Sequence, residues 1–172
     1  MIMRDGKVMP LSVPLTPIQF PSPATPMVGW AGAIFQAPSK AVLEQVRQIP
    51  NGAYISLSGY GSPAGFYNLS SGVWVTEVNG EPVADLNDFW RIVQQIEASE
   101  HEARQRSYSN PNDDEKPLFW DTQPYVRLKT VNRLQGTRVL TIRTDEHYRP
   151  TFSVNMDNEK GVRFLRFTKP EE

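Results

Sequence analysis

The order of elements legible in the 172 residues predicts an α+β fold. Three observations carry that prediction. Short β-prone runs recur along the chain, only two segments show helical spacing, and the helices do not alternate with strands as a βαβ sheet requires. Composition agrees with a globular domain: 39% hydrophobic, 22% charged and a formal net charge of −1. A chain of this length can bury a substantial core without disulfides or metals.

Each element has a local reason. Residues 1–18 form a small β-element around the turn Arg4-Asp5-Gly6-Lys7. It runs into a strand in which Val13 and Leu15 alternate with Ser12 and Pro14, and the prolines confine that strand to a sheet edge. Pro17, Pro21, Pro23 and Pro26 make a stiff, extended connector. Val28 to Pro38 holds a short apolar strand, with Gly29 and Gly32 bracketing Trp30 and Ala31. Ser39 is placed to cap a helix with the stripe Val42, Leu43, Val46 and Ile49, stopped by Pro50-Asn51-Gly52. Ala53–Leu57 is a strand, Ser58–Gly65 a turn-rich loop, and Phe66, Tyr67 and Leu69 an apolar cluster. Val73–Val78 is a strand that ends on the turn dipeptide Asn79-Gly80. Asp85 opens the second helix, with Asp88 at capping-box spacing and Phe89, Ile92, Val93 and Ile96 on one face. Glu97–Pro117 reads as the fraying helix end plus a mobile polar insertion. Four strands follow, at Tyr125–Val131, Arg138–Thr144, Thr151–Met156 and Val162–Phe167.

Several chemistries find no residues to carry them. Without cysteine there is no disulfide framework, thiol nucleophile or thiolate metal site. The two histidines, His101 and His147, lack a second His at metal spacing, so neither a metal nor a cofactor is expected. Ser62, in Gly61-Ser62-Pro63-Ala64-Gly65, is the nearest imitation of a catalytic serine and reads instead as a turn residue. Residues 59–65 are Gly-rich but lack the Lys of a P-loop and the spacing of a dinucleotide loop. No apolar run approaches the roughly 20 residues that span a bilayer. Proline interrupts every apolar stretch in residues 1–30, so no signal-peptide core is expected there.

Gly52–Ser56, Gly61-Ser62-Pro63-Ala64-Gly65, Gly72–Val78, Asn79-Gly80-Glu81-Pro82-Val83 and Asp85-Leu86-Asn87-Asp88-Phe89 follow one another at the spacing of a known family. This pattern resembles a PDZ domain of the HtrA protease type, and more narrowly the C-terminal PDZ-like domain of the fungal nuclear HtrA-like serine proteases linked to apoptosis. Ser71-Gly72 departs from the Gly-Asp usual in the family. The resemblance implies a partly open β-sandwich or barrel of about six strands with two helices. Residues 1–26 would resemble the terminal strands of a preceding PDZ-like domain plus a linker. Residues 27–167 would be the PDZ-like domain, with the insertion near 98–117, and residues 168–172 a tail. The protease residues are absent, so the chain is expected to bind protein rather than to cleave it, in the nucleus or cytoplasm.

In such a domain an extended peptide adds as a strand to a free sheet edge, and loop amides receive its terminal carboxylate. The resemblance places the loop at Trp30, Ala31, Gly32 and Ala33 and the edge along Ala33–Ala37, including Ile34 and Phe35. The pocket helix would offer Leu86, Phe89, Trp90 and Val93. A plainer reading puts Phe89 and Val93 in the core and gives Gly32 only a turn to serve. Pro38 removes one donor from the edge. Two further readings stand beside peptide binding. The chain could be a structural interdomain or oligomerisation module with an inert groove. Nucleic acid is a third partner class: residues 125–167 carry nine Lys/Arg against four Asp/Glu, while the acidic remainder of the chain opposes it.

Overall fold

The computed structural model describes residues 2–4, 6–10, 12, 14, 26–108, 125–157 and 161–166. Arg4 and Lys7 close a hairpin of β1 (Ile2–Arg4) and β2 (Lys7–Met9), at the turn that Asp-Gly predicts. Val13, Leu15, the connector through residue 25, residues 109–124 of the insertion segment and the tail 168–172 lie outside the described residues.

The remaining strands form one antiparallel sheet. In chain order they are β3 (Met27–Trp30), β4 (Ala33–Gln36), β5 (Ala53–Ser58), β6 (Val73–Val78), β7 (Glu81–Pro82), β8 (Tyr125–Asn132), β9 (Thr137–Arg143), β10 (Phe152–Asp157) and β11 (Gly161–Arg166). Their spatial order is β11-β10-β3-β4-β5-β6-β8-β9, with β7 paired to β6. The α+β class holds, and the sheet is open rather than closed into a barrel. It is larger than the resemblance implied: among the described residues this sheet holds nine strands, and the fold has three helices, against about six and two. The strand expected after the two glycines is β4, and an unexpected strand, β3, precedes it, because the chain reverses at Ala31-Gly32.

Alternation along the strands sets the core. In β8, Val126, Leu128 and Thr130 are buried while Tyr125, Arg127 and Lys129 face out. In β6 the neighbours Trp74 and Val75 are both buried, and the pairing with β8 shifts register between Val75 and Glu77. A bulge of this kind turns the strand and lets consecutive side chains find cover on different faces.

The helix α1 (Lys40–Leu43) is much shorter than the stripe through Ile49 suggested. The Ser39 side chain makes no cap bond, and Ile49 is exposed. Val42, Val46 and Ile49 are β-branched and lose rotamer freedom in a helix, so without deep burial nothing extends it. The short α2 (Pro63–Phe66) starts at Ser62, whose hydroxyl accepts from the Gly65 N–H at 3.2 Å.

The helix α3 (Leu86–Tyr108) lies across the inner face of the sheet. Asp85 Oδ1 accepts from the N–H groups of Asn87 and Asp88 at 2.8 and 2.9 Å. Asp88 Oδ2 reaches back to the Ala84 N–H at 3.2 Å, one residue earlier than a standard capping box. Arg91 ties the helix to β7 through Glu81 at 2.7 Å. The helix continues to Tyr108, through the segment where fraying was expected after Glu97.

Part of the reason is a buried polar layer. Glu97 and Glu100 are buried on α3, and Thr151, just before β10, and Ser153, within it, are buried as well. The Thr151 hydroxyl donates to Glu97 Oε1. Burial pushes the Glu97 carboxyl up to about 7; the Thr151 bond opposes the shift and the Glu146 charge adds to it. Its folded pKa therefore lies above its ordinary value near 4.5. Between those values the folded state holds a proton that the unfolded chain has released. Stability should fall as pH rises through that window, by up to about 1.4 kcal/mol per unit, and level off above it. Glu97→Gln keeps the acceptor for Thr151 and is expected to flatten this slope in urea unfolding followed from pH 5 to 8. An unchanged slope would mean that Glu97 does not control it.

Candidate functional site

Of the ten residues that the resemblance assigned to a peptide groove, eight lie in or against one core cluster where β3, β4 and α3 meet, and Gly32 and Ile34 do not. Ala31 (φ 52°) and Gly32 (φ 78°) are both left-handed, and Trp30 pairs with Ala33. Two such residues between paired strands make a tight hairpin turn whose twist matches the strands. The turn is fastened from behind by the Gly59–Gly65 loop. Ala31 O accepts from the Ala64 N–H at 2.9 Å, and Gly32 O accepts from the Gly59 N–H at 2.9 Å. Ser62, almost wholly buried, donates to Gly59 O at 2.6 Å. A Cβ on Gly32 would lie 2.8 Å from Ser62 Oγ and would overlap the Ser62 Cβ. Both hydrogen bonds of the Ser62 hydroxyl are thus internal to its own loop, as its turn chemistry suggested.

β4 is not an edge. One side pairs with β3 from Met27↔Gln36 to Trp30↔Ala33, and the other with β5 from Ala33↔Ser58 to Gln36↔Tyr54. The far side of β3 is covered in turn by β10, with Phe152 opposite Gly29. Gly29 leaves room for the Phe152 ring, which occupies the space a Cβ would need. Strand addition needs an unpaired ladder, and β4 presents none along Ala33–Gln36.

The side chains are equally committed. Trp30, Ala31, Ala33, Phe35, Phe89 and Val93 are buried in the core cluster, and Leu86 and Trp90 pack against it half-buried. Phe35 stacks on Phe89 with ring centroids 4.1 Å apart, and Trp30 meets Phe89 edge-on at 5.8 Å. Ile34 alternates to the other face and is half-buried. Phe89 and Val93 are therefore core residues, as the plainer reading had it, and Gly32 is a turn residue.

Sequence reasoning found the residues but not the strand that covers them. Ala at the first left-handed position of the turn hides the hairpin, because Asn, Asp or Gly would be the usual signal there. Elsewhere a cleft of about 490 Å³ opens between the β8–β9 turn, residues 68–72 and the α1 segment. None of the ten residues lines it, and nothing in the sequence reading pointed to it.

An antiparallel sheet with a glycine turn, a Gly-Ser-Pro-Ala-Gly loop behind it and a capped helix across it define a PDZ-like domain. Residues 24–99 match the family described as PDZ-like domain. Those residues are PDZ-like, and the curated relatives include proteins named as proteases. It is 30% identical to a PDZ domain-containing protein of Schizosaccharomyces pombe, over 99% of this chain and 15% of the relative. It is 29% identical to Protease Do-like 7 of Arabidopsis thaliana, over 94% of this chain and 13% of that protein. With the pro-apoptotic serine protease NMA111 of Candida glabrata it shares 27% identity, over 93% of this chain and 14% of the relative. The chain thus spans only 13–15% of the length of these curated relatives.

Proposed function

We propose that this chain is a non-catalytic PDZ-like interaction module, a regulatory or structural piece related to HtrA-type proteases, whose tail-binding groove is filled by its own β3. One observation carries this reading: β4 has a hydrogen-bonded neighbour on both sides. A groove that captures peptide tails needs a free ladder and free loop amides. Here the ladder is used within the chain. Fold alone does not supply a working site.

Contacts of such a module would lie elsewhere on its surface, toward other PDZ-like or protease domains. Residues 1–26 fit the role of terminal strands of a preceding unit. The hairpin β1–β2 bears exposed Met3 and Val8 opposite one another, and an isolated two-stranded ribbon is marginal in water. A nuclear or cytoplasmic setting and a link to apoptosis are proposed from the family resemblance alone.

Labelled peptides with apolar, free C-termini test the filled groove. Anisotropy titration is expected to show no saturable binding to the full chain up to millimolar peptide. Saturable binding that Gly32→Asp abolishes would show instead that β3 gives way to ligand, and this reading would be lost.

A further inference from the structure

The cleft of about 490 Å³ differs from the filled groove in kind: it is open, and it is charged with one sign. Val42, Val73 and Leu140 give it an apolar lining over the buried Leu69 and Trp74, and its polar side chains include those of Asn68, Ser70 and Asn132. Arg133 and Arg138 line it, and not one Asp or Glu does. Among the described residues, neither arginine is in an ion pair. Arg133 Nη1 reaches only a neutral partner, Gln45 Oε1 of the α1 segment, at 3.4 Å. At the mouth, Leu134 is 81% exposed.

The chain as a whole is slightly acidic, so two uncompensated cations over an apolar lining are a local departure. Arginine forks are suited to planar carboxylates, and the apolar lining rewards a hydrophobic side chain placed between them. The volume is in the range of a small-ligand site and suits a few residues rather than a domain. We propose that this cleft docks an acidic peptide segment, in which an apolar side chain sits on the part-exposed Val42, Val73 and Leu140 and flanking Asp or Glu side chains pair with Arg133 and Arg138. The turns at 68–72 and 132–138 frame the opening, so the segment enters from solvent without displacing a strand. This site is independent of whether the β3-filled groove ever opens.

The test uses the full chain and a fluorescein-labelled, N-acetylated, C-amidated peptide of sequence Asp-Glu-Leu-Glu-Asp. The amide cap removes the terminal carboxylate that tail capture would need. Saturable binding is expected, weakening as salt rises past the screening length of about 10 Å at 0.1 M. Arg133→Glu with Arg138→Glu should weaken it on the order of tenfold or more, the sum of two exposed ion pairs. Arg133→Gln with Arg138→Gln should give a smaller loss in the same direction, with unfolding midpoints unchanged. Four outcomes overturn the proposal: no saturable binding; equal binding of Lys-Lys-Leu-Lys-Lys; binding indifferent to both double variants; or full competition by inorganic phosphate, which would make the cleft a simple anion site. Sedimentation showing a dimer that the double reversal dissociates, with no peptide bound, would assign the face to a second copy and overturn it as well.

Discussion

Phe35→Ala is expected to destabilise the fold by about 3–5 kcal/mol. Phe35 has no exposed surface and lies between Trp30 and Phe89, with centroid separations of 6.3 and 4.1 Å. Its truncation removes a large apolar transfer term and leaves a void that two rigid rings cannot collapse into. The loss is comparable with the whole stability of many domains of this size. Urea unfolding measures it, with Phe66→Ala as the internal comparison. Phe66 is 80% exposed, so its removal should cost less than about 0.5 kcal/mol. The contrast also separates two views of the same residue. A Phe35 that flanked an open peptide groove would be part-solvated, and its loss would weaken a ligand far more than the fold. If Phe35→Ala costs no more than Phe66→Ala, the aromatic trio is not the core of the domain.

The elements that sequence made legible are those whose signals are local. The span of β6 follows from its β-branched run and from the Asn79-Gly80 turn, where both residues adopt positive φ. The start of α3 follows from Asp85 and Asp88, and its buried face from Phe89, Ile92 and Val93. The β1–β2 hairpin follows from Asp-Gly. What was not legible depends on contacts distant in the chain. The Val42–Ile49 stripe has helical spacing, yet only Lys40–Leu43 is helical, because spacing does not guarantee a surface to bury against. The continuation of α3 to Tyr108 draws on Thr151, 54 residues beyond Glu97. Above all, no local pattern states which strand lies beside β4. Whether the edge beside Ala33–Gln36 is open depends on β3 folding back and on β10 sealing it. A family pattern conveys positions of side chains; occupancy of a groove is a property of pairing.

Gly32→Ala brings that pairing to a measurement and is expected to cost about 2–5 kcal/mol. Two penalties add. An L-residue at φ 78° sits in the left-handed region, at roughly 1–2 kcal/mol. The new methyl also overlaps the buried Ser62 side chain, and overpacking of this kind costs about 1–3 kcal/mol. Only the second penalty depends on Ser62, so the two can be separated. Ser62→Gly alone loses the cap on the Gly65 N–H and the bond to Gly59 O, while removing the atoms that the methyl would strike. In that background Gly32→Ala should retain only the backbone penalty. The double-mutant cycle should therefore show a favourable coupling of about 1–3 kcal/mol, within the range for residues in contact. Denaturant midpoints at constant slope supply all four values. Strict additivity would mean that the Ala31-Gly32 turn does not rest on the Ser62 loop.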